Sequence, residues 1–175
     1  MPRDPKSSIN FQDLMLNRIH EILLVASPYD AFILEEDGRL TQQILYEYLG
    51  MNLSYAPRVW HAKNANSGLR MLSKRSYDLV IVMMRIADMD PITFGEKVKS
   101  DYPKKPIILL AFDESEITVL PQKRLEETID KVFIWSGNAN LFPAVIKNIE
   151  DRMNLERDYK IADIRAIIIV EDNPR

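Results

Sequence analysis

The chain has 175 residues, 46% of them hydrophobic, with a formal charge of −3 and no cysteine, a size that suits one domain with extensions. The absent cysteines exclude disulfides, thiolate metal sites and a cysteine nucleophile; the interspersed charges leave no basic footprint for nucleic acid, and the five glycines form no phosphate-cradling loop. No apolar run approaches a membrane span, and the first nineteen residues lack the apolar core of a secretory signal, so a cytoplasmic protein is expected.

Residues 1–18 read as an arm in which Phe11, Leu14 and Met15 supply one short amphipathic turn. His20 to Ser27 is the first predicted strand, an isoleucine and leucine run stopped by Pro28. Pro28 to Asp37 is expected to be an acid-containing loop, followed by a helix from Gly38 to about Gly50. Asp37 can cap its start, and Leu40, Ile44, Leu45 and Leu49 recur at helical spacing. A second strand is placed near Pro57 to Ala62 and a second helix over Asn66 to Arg75, with Leu69 and Leu72 inward. His20 and His61 have no histidine neighbour in sequence and read as surface or edge residues.

Leu79 to Met84 is a continuous apolar run opened by Asp78, the pattern of a strand buried on both faces of a parallel sheet. Pro91 opens a third helix where its missing amide hydrogen costs little, with Phe94 and Val98 turned to the sheet. Ile107 to Ala111 is the fourth strand, with Phe112 to Ser115 as its exit loop. A weaker helix over Val119 to Glu127 is interrupted by Pro121. Lys131 to Trp135 is the fifth strand, and Asn138 or Asn140 caps a last helix on which Phe142, Ile146, Ile149 and Met153 form one stripe. Strand and helix therefore alternate five times. The expected fold is α/β: a flavodoxin-like, doubly wound five-stranded parallel sheet in the order 2-1-3-4-5 with helices on both faces.

The first strand then returns near the C terminus. Glu21 to Ser27 reads Glu-Ile-Leu-Leu-Val-Ala-Ser, and Ala166 to Asp172 reads Ala-Ile-Ile-Ile-Val-Glu-Asp. The expected organisation is an arm over 1–18, a domain over 19–157, a linker over 158–165 and the first strand of a second copy over 166–175. Ala166 to Val170 is expected to pair with a sheet edge or to pack on a neighbouring copy.

The Asp78-Leu79-Val80 strand entry, the Ala87-Asp88-Met89-Asp90 turn and the Pro106-Ile107-Ile108 strand entry resemble the receiver domain of two-component response regulators. In that family an aspartate at the end of strand 3 accepts a phosphoryl group beside a Mg²⁺ held by an acid pair after strand 1. Such a cation demands oxygen ligands. Carried over residue by residue, the acceptor falls on Met83, the acid pair on Ala26 and Ser27, the hydroxyl after strand 4 on Ala111, and the lysine after strand 5 on Trp135 or, with a one-residue slip, Ser136. Every chemical position departs from the pattern while the hydrophobic frame remains. The resemblance thus implies a degenerate receiver, with no metal and no cofactor, in which the Trp135 indole is expected to plug the emptied acid pocket beside Met83. Glu171 and Asp172 resemble the acid pair of an equipped second receiver.

The function expected from this resemblance is that of a non-catalytic signalling module in a multidomain two-component or phosphorelay protein, working through protein contacts. The family's face of helix 4, strand 5 and helix 5 implies a candidate surface at Val119, Lys131, Phe133, Phe142, Ile149 and Met153, used for self-dimerisation or for clasping the adjacent receiver. No nucleic acid, membrane or small-molecule partner is expected. Two alternatives stand beside it: a phospho-accepting receiver rebuilt from Asp30, Asp88 and Asp113, and a flavodoxin-like ligand binder on the same architecture.

Overall fold

The computed structural model describes residues 16–36, 39–50, 55–137 and 140–162. It divides into two compact units, one over Ile19–Ile146 and one formed by Met1–Arg18 with Lys147–Arg175. Among the described residues no helix is long and apolar enough to cross a membrane.

The larger unit is built on β1 (Glu21–Val25), β2 (Arg58–Ala62), β3 (Leu79–Met83), β4 (Ile107–Ala111) and β5 (Lys131–Ile134). They form one parallel sheet in the order β2-β1-β3-β4-β5, as the alternation of strand and helix predicts. The two runs without a polar residue, β3 and β4, are buried at every position. Of the edge strands, which carry Arg58, His61 and Lys131, β2 is mostly exposed and β5 mostly half-buried.

Seven helices accompany the sheet among the described residues: α1 (Pro28–Glu36), α2 (Leu40–Gly50), α3 (Ala65–Lys74), α4 (Pro91–Asp101), α5 (Glu114–Thr118), α6 (Gln122–Thr128) and α7 (Leu141–Ala162). On one face, Leu23, Val25, Val80, Val82, Ile107 and Leu109 join Leu72, Phe94, Val98 and Leu125 in one core cluster. Residues of opposite parity turn the other way, because side chains alternate along a strand. Leu24 and Val59, for example, line a groove together with residues of α1 and α2.

Four local expectations are corrected. Pro28 to Asp37 is not a loop: Pro28–Glu36 is α1. Ser27 caps it, its hydroxyl accepting from the Asp30 amide at 3.0 Å and its carbonyl from the Ala31 amide, and Pro28 fills the first helical position, where no amide is needed. The following helix, α2, buries Leu40, Ile44 and Tyr48, while Leu45 and Leu49 face outward at 47% and 59% exposure. The weak helix over Val119 to Glu127 is two short helices, with α6 starting after Pro121. Finally, α7 runs to Ala162, into the stretch expected to be a linker.

In the smaller unit, Asn17 and Asn154 form a reciprocal pair. The Asn17 amide donates to Asn154 Oδ1 at 2.8 Å, and Asn154 Nδ2 donates to the Asn17 carbonyl at 2.8 Å. Arg18 lies 3.5 Å from Glu150. Phe11, Leu14, Met15, Asn138, the Ala166–Val170 strand and the acid pair Glu171 and Asp172 lie outside the described residues.

Candidate functional site

In an open α/β sheet, chemistry sits beyond the carboxyl ends of the strands. The register brings the sequence-predicted positions together there. Val25 pairs with Val82, Met83 with Leu110, and Ala111 with Ile134, so at that edge Ala26 and Met83 stand level, with Ala111 one residue and Trp135 two residues further along their strands. Ala26, Met83 and Ala111 are fully buried, Trp135 is 5% exposed and Ser27 is half-buried. The Trp135 amide donates to the Ala111 carbonyl at 2.7 Å. Its indole packs on Phe142 of α7, ring centroids 5.2 Å apart. Apart from the Ser27 hydroxyl, which caps α1, these side chains offer methyl, thioether and indole groups, none of which neutralises a phosphate or holds Mg²⁺.

The acids of this edge have other partners. Asp88, in the turn after β3, accepts from the amides of Ala65 (2.8 Å) and Asn66 (3.0 Å) at the start of α3. Asp90 caps α4 through the Thr93 amide, and Asp113 caps α5 through the Ser115 amide. Burial, the largest single influence on Asp88, pushes its carboxyl up, but hydrogen bonds from the backbone amides of Asn66, Ala65 and Asp88 itself and from the Asn66 side chain together hold the group below its ordinary value. The Ser115 amide and hydroxyl likewise hold Asp113 down. Among the described residues no group of three or more His, Cys, Asp or Glu side chains is placed to hold a metal. Asp30 is the exception in its surroundings. It is 3% exposed on the inner face of α1, and its Oδ2 has no partner among the described residues.

Replacing Asp88 with alanine removes two cap bonds and is expected to cost about 1 kcal/mol at neutral pH. Because the folded carboxyl is held below its unfolded value, its contribution is present above about pH 4 and is lost as pH falls through the folded value. Urea unfolding should therefore separate Asp88→Ala from the wild type at pH 7 and bring the two together toward pH 2.

One arrangement was not legible in the sequence. Arg85, just past β3, pairs with Glu116 of α5 at 2.7 Å, and the other Glu116 oxygen accepts from the Phe112 amide just past β4 at 3.0 Å. This carboxylate, 14% exposed, ties the exits of the two central strands together. At the β1 exit, His61 Nε2 lies 2.9 Å from the Ala26 carbonyl. A carbonyl only accepts, so Nε2 carries the hydrogen.

Of the predicted contact surface, Val119, at the end of α5, is 77% exposed, Lys131 is exposed and Phe133 half-buried, while Met153 of the smaller unit is 41% exposed. Phe142 and Ile149 are buried, at 1% and 2%, and are closed to a partner.

This strand order defines a doubly wound, receiver-type fold. Comparison with solved structures gives the same fold. The signal receiver domain of an HD domain-containing protein from Pseudomonas fluorescens Pf-5 is 24% identical over 82% of this chain and 95% of that one, with a TM-score of 0.58. A CheY-like receiver domain protein from Methanospirillum hungatei JF-1 is 19% identical over 79% and 98%, TM-score 0.58. TrrA from Thermotoga maritima, solved in complex with Mg²⁺ and BeF, is 18% identical over 75% and 99%, TM-score 0.53. No protein-family model and no curated protein matches the chain.

Proposed function

We propose that this chain is a pseudo-receiver: a non-catalytic interaction module of a multidomain two-component or phosphorelay protein, acting by protein contact without aspartate phosphorylation. The observation that carries the reading is Met83, fully buried at the tip of β3 between Ala26, which follows β1, and Leu110 of β4. Three further features support it. Asp88, Asp90 and Asp113 are engaged as helix caps; the exits of β3 and β4 are already joined through Glu116; and Trp135 occupies the lysine position as packed indole. The partner is a second copy or the adjacent receiver of the same chain, meeting Val119, Lys131 and Phe133 of the larger unit.

The unpartnered Asp30 Oδ2 favours one rival, a cation site rebuilt from a displaced acid. Calorimetric titration with Mg²⁺ and beryllofluoride separates the two. A pseudo-receiver gives no saturable heat in the millimolar range and no phosphoryl adduct on intact mass after acetyl phosphate. Saturable heat that disappears in Asp30→Asn would establish the rival instead.

A further inference from the structure

Exposed large hydrophobic side chains are unevenly placed in the larger unit. Tyr29 and Phe32 of α1 and Leu45, Tyr46 and Leu49 of α2 are 47–70% exposed, whereas α3, α4 and α6 carry none. Between α1, α2 and the β1–β2 edge lies a groove of about 370 Å³ whose walls include Ala31, Phe32, Leu40 and Val59, with Glu35, Thr41 and His61 as its polar members. Thr41, Leu45 and Leu49 are spaced i, i+4, i+8, so they share one stripe of α2. This stripe prolongs the groove by roughly 12 Å, eight residues at the helical rise.

The charge of this surface selects its occupant. Glu35 is the sole Asp, Glu, Lys or Arg lining the groove, and among the described residues of the α1–α2 stretch the charged side chains that are not buried are Glu35, Glu36 and Glu47 against one basic residue, Arg39. A two-fold contact of this face with its own copy would oppose these carboxylates to themselves. An apolar trough with an acidic rim suits a helix with an apolar stripe flanked by lysine or arginine, seated by anchors one and two turns apart.

We propose that the α1–α2 groove is a docking site for a basic amphipathic helix of another polypeptide. The surface is distinct from Val119, Lys131 and Phe133, and the inference does not depend on the absence of phosphorylation. Side chains from α1 and α2 would clasp the apolar face of that helix while Glu35 and its acidic neighbours meet the basic flank.

The test uses the full chain and two synthetic helices, identical in their leucine face, one with lysine and one with glutamate on the polar face. Amide chemical shifts are followed as each is added. The lysine helix is expected to bind saturably, with shifts confined to α1, α2, Val59 and His61. Binding should weaken at least tenfold in Phe32→Ser/Leu45→Ser and in Glu35→Lys, and with rising salt. These side chains are exposed, so the variants keep the wild-type melting temperature. Four results would overturn the proposal: no saturation, equal binding of both helices, shifts centred on the β2 backbone as for an added strand, or shifts reproduced by concentrating the protein alone.

Discussion

Met83→Asp is expected to destabilise the protein by about 4 kcal/mol, a large part of a typical domain's stability, without creating a phosphorylation site. Met83 is fully buried on a central strand, flanked in register by apolar residues of β1 and β4. A carboxylate there gains no hydrogen-bonding or cationic partner, so it stays protonated well above its ordinary range. The sign of the pH dependence follows. With the folded value raised, the penalty is smallest below about pH 4 and grows with pH until the folded carboxyl ionises. Urea unfolding at pH 4 and pH 7 reads this directly. Adding Ala26→Asp and Ser27→Asp gives three carboxylates that no protein cation balances, and then Mg²⁺ should raise the melting temperature, which it does not do for the single variant. A stable, acetyl-phosphate-labelled Met83→Asp would show that the site has kept chemistry assigned here as lost.

What could be read from the chain follows the physics of each signal. Ile107–Ala111 emerges with the predicted bounds because a strand buried on both faces is written as an unbroken apolar run. The positions of Ala26, Met83, Ala111 and Trp135 at one edge follow from strand ends alone. By contrast, α1 buries only Asp30 and Leu34, so it shows no apolar stripe; its signal was the Ser27-Pro28 start, which the acids after it masked. In α2, tyrosine rather than leucine completes the inner face, since Tyr48 follows Leu40 and Ile44 by whole turns and leaves Leu45 and Leu49 outside. Glu116 with Arg85, and Asp88 with the start of α3, are contacts made by folding between segments far apart in sequence. No local pattern encodes them, yet they decide which acids remain available for chemistry.

Gly95→Ala is expected to destabilise by about 2 kcal/mol, against the usual trend for helices. In an exposed helix interior the change would gain roughly 1 kcal/mol. Gly95, however, lies on the buried side of α4, where an added Cβ would stand 2.5 Å from Thr128 Cγ2 and 3.4 Å from Ile129 Cδ1. Thr128 cannot easily yield. It is β-branched, 4% exposed, and its hydroxyl donates to the Arg124 carbonyl at 2.5 Å. Overpacking of this kind typically costs 1–3 kcal/mol and outweighs the propensity gain once α6 must shift outward. Thr128→Ser removes the obstructing methyl and keeps the hydroxyl, so Gly95→Ala/Thr128→Ser should recover most of the loss, a coupling readable from a double-mutant cycle. Because α6 and β5 follow one another in the chain, moving α6 also reaches the proposed contact surface. Self-association, if it uses Val119, Lys131 and Phe133, should weaken in Gly95→Ala and return in the double variant. Stabilisation by Gly95→Ala alone, or no rescue by Thr128→Ser, would mean that the α4–α6 contact is looser than this packing requires.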